Sequence, residues 1–198
     1  MLFLVPLYPL CYHLRMSTVA MAHRKIQIQI FPAFRKGLSA PWLRRVTGEA
    51  LTQGLSAVRH NASRSCGVSL VIADDETIHR LNYYYRGLDE VTDVLAFAFD
   101  HPGQYEGEGY QTSPTMAEPF ITPKEDAGDI GEIIISYPQC LRQAQAQGHD
   151  SSHELSLLIT HGVLHLLGYD HVIPQDELVM KCREMKTLEA LGFPRVHS

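Results

Sequence analysis

Residues 151 to 167, SSHELSLLITHGVLHLL, are apolar on nearly every side when wound as a helix, with Leu155, Leu157, Leu158, Ile159, Val163, Leu164, Leu166 and Leu167 distributed around it. A helix that is hydrophobic all round is stable only when buried. The rest of the chain must therefore wrap other elements around it, and 198 residues suffice for one such domain with tails. Yet this helix carries His161 and His165, and beyond Gly168 comes His171. Buried imidazoles without partners are costly, so three of them on and beside an aliphatic helix require an explanation.

Spacing supplies one. Residues at i and i+4 lie on one helical face with β-carbons roughly 5 to 6 Å apart, close enough for two imidazoles to share one metal ion. His161 and His165 meet that condition, and Gly168 stands where a left-handed residue ends the helix, so His171 can turn back toward the same point. Three neutral nitrogen ligands suit a catalytic Zn2+, which keeps its fourth position for water. Imidazole also suits nickel, copper and iron. His149 and His153 share the spacing but straddle the Gly148 to Ser151 boundary without a third ligand, and are expected to be solvated surface residues.

The pattern is that of H-E-x-x-H-x-x-G-x-x-H metalloproteases with Gly162 in place of the glutamate. Glycine can neither activate water nor carry a proton to a leaving amine, so peptide hydrolysis is disfavoured. Gly162 lies about 100° around the helix from His161. It is expected to open room beside the metal for a bulky group such as a phosphodiester.

The remaining elements indicate an α+β fold, a mixed four-stranded sheet packed with helices, and the metal site on the buried helix. Lys25 to Phe31 alternates as a strand, Cys66 to Ala73 and Asp129 to Ser136 are apolar strands, and Asp93 to Phe99 alternates again. Ser39 and Pro41 start a helix running through His60, Asp74 caps one ending at Gly87, and helices follow over 138–147, 151–167 and 174–191. Ser151 and Glu154 read as a capping box. Apolar residues at 45% and charged residues at 20% exclude collagen-like and disordered chains. No apolar run reaches the roughly 18 residues of a membrane span.

Net charge is −5 but unevenly placed. Residues 1–90 hold 11 Lys and Arg against 6 Asp and Glu, whereas 91–198 hold 6 against 16. The segment 100–127, with no periodicity, alone carries a local charge of −5 and reads as a long acidic loop. Arg35, Lys36, Arg44, Arg45, Arg59, Arg64, Arg80 and Arg86 could still build a basic face for a polyanion. Cys11, Cys66, Cys140 and Cys182 form no C-x-x-C pair and read as reduced thiols of a cytoplasmic protein. Residues 1–22 read as an N-terminal extension outside the fold, which is expected to occupy 23–194 as a single domain; Pro6, Pro9 and the absence of a basic start argue against a secretory signal.

H-G-V-L-H-L-L-G-Y-D-H at 161–171 resembles the signature of the YbeY family of bacterial metal-dependent endoribonucleases, the rRNA maturation factors. Leu81-Asn82 through Tyr85-Arg86-Gly87, Thr92-Asp93-Val94-Leu95-Ala96-Phe97, and Gly128-Asp129-Ile130 through Ile135-Ser136 resemble further stretches of that family. The resemblance spans roughly Lys25 to Leu191 and implies a zincin-like fold, one Zn2+ on His161, His165 and His171, and cleavage of single-stranded RNA. It also implies a role in 16S rRNA 3′-end maturation and ribosome quality control, with rRNA and the small ribosomal subunit as partners. Arg86 is then the family's functional arginine, and a guanidinium there suits a scissile phosphate. Departures are Ala96 for the usual serine, the long 100–127 segment and residues 1–22. Asp170 is a potential acceptor for the His171 imidazole. Two alternatives stand beside the nuclease: a ribosome-assembly RNA-binding factor with a structural metal, and a peptidase or other zinc hydrolase that recruits a distant base.

Overall fold

Alternation of Ile26, Ile28 and Ile30 with Gln27 and Gln29 turns one face of β1 (Ile26–Ile30) to the core and the other outward. Pro32 ends it in a 3-10 turn. The computed structural model describes residues 25–56, 67–99 and 129–193. After β1 come α1 (Ala40–Leu55), β2 (Gly67–Ala73), α2 (Asp75–Arg86), β3 (Val94–Ala98), β4 (Asp129–Ser136), α3 (Tyr137–Gln147), α4 (Ser151–Leu166) and α5 (Pro174–Leu191). The 1–22 extension, the whole 100–127 segment, Cys11, Cys66, Arg59 and Arg64 lie outside the described residues.

The strands form one sheet in the order β1-β2-β4-β3, with β1, β2 and β4 parallel and β3 antiparallel to β4. Central strands are covered on both faces and largely apolar, and β2 and β4 are so apart from Ser69 and Glu132, which sit side by side on one face. Leu70, Ile72, Ile133 and Ile135 face α1 and α4, whereas Val71 and Ile134 pack with Ile78 of α2, Leu95 and Phe97. Ser39 accepts from the Trp42 amide at the start of α1, and Asp74 Oδ1 accepts from the Thr77 amide at 2.9 Å at the start of α2. Those two caps are where the side-chain chemistry places them.

α4 is the buried helix that the apolar pattern requires, packed against α1, α3, α5, β3 and β4. Leu155, Ile159, Val163 and Leu164 are essentially inaccessible; truncating such a residue to alanine costs about 2 to 5 kcal/mol. The start of α4 differs from the expected capping box. Asp150 is the N-cap residue without a side-chain cap bond, and Glu154 instead binds the His149 imidazole at 2.5 Å. The hydrogen bond to His149 takes up the Glu154 side chain in place of the capping interaction.

Candidate metal centre

α4 presents His161 and His165 on one face, with ring centroids 4.5 Å apart. Beyond its end Gly168 adopts φ of 85°, a left-handed conformation that suits glycine. The exit is pinned: the Tyr169 hydroxyl donates to the Gly54 carbonyl at the end of α1 at 2.7 Å. The reversed chain brings the exposed His171 over the pair, with ring centroids 5.5 Å from His161 and 5.2 Å from His165. One ligand nitrogen from each of the three lies within 4.8 Å of the others, and among the described residues this is the one such group of His, Cys, Asp or Glu.

Hydrogen bonds at the far side of each ring determine what the near side offers. His165 Nδ1 lies 3.1 Å from the Tyr169 carbonyl oxygen, which can only accept, so the proton sits on Nδ1 and Nε2 carries a lone pair. His161 Nδ1 lies 2.9 Å from Glu184 Oε1 on α5, a carboxylate oxygen that places its proton in the same way. The two Nε2 atoms face each other at 3.0 Å, and with both rings neutral each is left as an acceptor. Two lone pairs at that distance repel unless a cation, a proton or a metal ion, lies between them. Nitrogens sharing one zinc at about 2.0–2.1 Å come to a similar separation, so the donor set fits such an ion. Burial, with His161 and His171 adding to it, lowers the pKa of His165 to about 4, so that this ring stays neutral and able to ligate at ordinary pH.

A family model described as Endoribonuclease YbeY matches residues 41–192, from the first turn of α1 through the end of α5. The chain belongs to the YbeY family. A relative named Endoribonuclease YbeY from Dehalococcoides mccartyi strain CBDB1 is 42% identical over 162 residues, covering 82% of this chain and 90% of its own. The Endoribonuclease YbeY of Roseiflexus castenholzii is 34% identical over 171 residues, covering 86% and 94%. That of Brevibacillus brevis is 44% identical over 129 residues, covering 65% and 76%.

Within this YbeY domain the other expected residues fall as follows. Arg86 occupies the last turn of α2, half-buried, just before Gly87 closes the helix. Gly162 does not open space beside the metal. A β-carbon there would lie 2.9 Å from Ile133 Cγ2, so this glycine lets α4 approach β4, and the expectation of a substrate group at 162 is overturned by the helix's orientation. Asp170 accepts from the backbone amide of His171 at 2.6 Å, a local turn bond. The carboxylate on a histidine ring of the trio is Glu184, on His161. Sequence reasoning missed it because 23 residues and a helix-helix packing arrangement separate the two; a Glu inside the helix following the last histidine was the available signal. His149 and His153 are not surface residues: His153 is 8% exposed and packs on Phe193, and His149 pairs with the buried Glu154.

Proposed function

We propose that the protein is a zinc-dependent endoribonuclease that cleaves single-stranded RNA in 16S rRNA 3′-end maturation and ribosome quality control, meeting its substrate on the small subunit in the cytoplasm. The observation that carries the metal part is the convergence of His161, His165 and His171, with one ligand nitrogen of each within 4.8 Å of the others. Membership of the YbeY family supports the RNA part.

In this reading His161, His165 and His171 hold the ion. Bound there, zinc supplies a Lewis acid that acidifies water and polarises a phosphoryl oxygen. Glu184 accepts the Nδ1 proton of His161 and the Tyr169 carbonyl that of His165, which keeps both rings turned with Nε2 inward. Glu184 is thus a positioning residue. Arg86 donates to the scissile phosphate and offsets its charge as the bond breaks. The domain carrying this chemistry spans 23–194. No carboxylate occupies position 162, and a Cβ there would meet the sheet, so this helix has no place for a protease-type glutamate next to His161.

The structural-metal reading calls for four protein ligands. Cys140 is a poor fourth: it is buried, its Sγ lies 3.9 Å from the Ser151 carbonyl at the opposite end of α4, and burial pushes its thiol up to about 12. The test is cleavage of an end-labelled single-stranded RNA by zinc-loaded protein beside His165→Ala prepared identically. Cutting by the wild type alone is expected. Equal cutting by both, or by neither, contradicts the assignment.

A further inference from the structure

The metal trio sits at the end of α4, which packs on β4 and β3; the opposite edge of the sheet, β1, carries a feature that this chemistry leaves unused. A groove of about 800 Å³ runs along β1, its polar lining formed by Gln27, Gln29, Arg35, Ser69 and Glu132. Gln27, Ser69 and Glu132 are register partners across β1, β2 and β4, so their side chains form one row on the face opposite Leu70 and Ile133. Glu132 is only 4% exposed. Its Oε1 accepts from the Ser69 hydroxyl at 3.0 Å, whereas its Oε2 is buried with no hydrogen-bond partner. A buried acceptor left unmatched is costly, and it calls for a ligand that brings a donor.

The edge itself asks for the opposite charge. Arg35 Nε donates to the Ile30 carbonyl at 3.1 Å and Arg44 Nε to the Ile26 carbonyl at 3.4 Å. Each guanidinium is thereby anchored to the strand by one nitrogen while its side chain remains exposed, with its two terminal nitrogens still able to fork onto an anion. Their anchors are four residues apart, roughly 13 Å along an extended strand. Lys36 and Arg45, both exposed, follow each of them in the chain. A small anion would satisfy the arginines and leave Glu132 unmatched. A basic peptide would satisfy Glu132 and be repelled by the arginines. A nucleic-acid strand brings both: phosphates outside and planar bases rich in N–H donors inside.

We infer that the β1 edge is a second site for single-stranded RNA, in which Arg35 and Arg44 hold backbone phosphates and a nucleobase enters the groove to donate to Glu132. It positions the strand far from the bond that is cut, and it rests on the reading of this protein as a ribonuclease. Bases bearing an exocyclic amine are preferred over uracil.

Fluorescence anisotropy of labelled oligo-C and oligo-U tests this in the full chain carrying His165→Ala, so that no cleavage intervenes. Adding Arg35→Gln and Arg44→Gln together is expected to weaken binding at least tenfold. The slope of log K against log salt should shrink by about 1.4, the share of two phosphate contacts on a single strand. Gln27→Glu with Gln29→Glu, which leaves the arginines in place, should also weaken binding. Glu132→Ala should abolish the preference for oligo-C. Unchanged affinity and slope in the arginine pair, or tight capture of an arginine-rich peptide that RNA does not displace, would overturn the site. Because binding is read without cleavage, RNA held at the edge by a protein whose zinc-loaded wild type does not cut would contradict the catalytic reading alone.

Discussion

Two histidine pairs at i, i+4 spacing, His149/His153 and His161/His165, follow each other along the same stretch of chain, and locally they are almost the same object. His149 and His153 have ring centroids 4.5 Å apart at 86°; His161 and His165 have centroids 4.5 Å apart at 84°. What surrounds them differs. In the first pair His149 Nε2 is committed to Glu154, and His153 packs against Phe193 with its pKa lowered by burial and by the neighbouring His149. In the second, acceptors hold the Nδ1 side of both rings, the Nε2 side is left open, and His171 returns from beyond Gly168. Spacing brings imidazoles together in both places. The hydrogen bonds behind the rings, and a third histidine, make one pair part of a group that could hold a metal ion, whereas the other is tied to Glu154 and Phe193.

The largest effect that would break this contrast is on metal and activity. His165→Ala should abolish bound zinc and RNA cleavage, whereas His153→Ala should retain both, read by metal analysis and a cleavage assay. Next, the first pair should govern stability. His149→Ala leaves Glu154, whose side chain is 3% exposed, without its partner, and loss of one member of a buried pair costs about 3 kcal/mol or more. Denaturant unfolding should show that loss with zinc content unchanged.

A smaller effect sharpens the second pair. Glu184→Ala should weaken zinc binding by about 10- to 100-fold, as removal of a carboxylate behind a ligating histidine does. Glu184→Gln should recover part of it, because its amide oxygen still accepts the Nδ1 proton; competition with a chromophoric chelator measures both. The mildest effect is on pH. His165 is lowered from 6.5 to about 4 in the folded chain, so between those values the unfolded chain binds a proton there that the folded chain refuses. Stability of the zinc-free protein should therefore be fully present above about pH 6.5 and fall as pH drops toward 4, and His165→Ala should flatten that part of the profile.

Much of this was legible in the chain because it is local. Periodicity of 2 in Ile26 to Ile30, the caps at Ser39 and Asp74, the all-round apolar surface of α4 and the intervals between His161, His165, Gly168 and His171 are all set by near neighbours along the sequence. What failed was tertiary. Gly162 looked like space because only its angle from His161 could be read, and which neighbour fills that angle depends on Ile133 of β4. His149 and His153 looked solvated because neither the burial of Glu154 nor the approach of Phe193 leaves a local mark. Glu184 required knowing that α5 folds back along α4, and Glu132 that β2 and β4 set Ser69 beside it.

The central claim is that of two similar pairs only the one backed by Glu184, Tyr169 and His171 holds metal. Zinc per chain, measured by mass spectrometry of the intact protein in its native state, tests it most directly across wild type, His165→Ala and His149→Ala. The account predicts a single zinc ion in the wild type and in His149→Ala and none in His165→Ala. Zinc retained by His165→Ala, or lost from a folded His149→Ala, would contradict it.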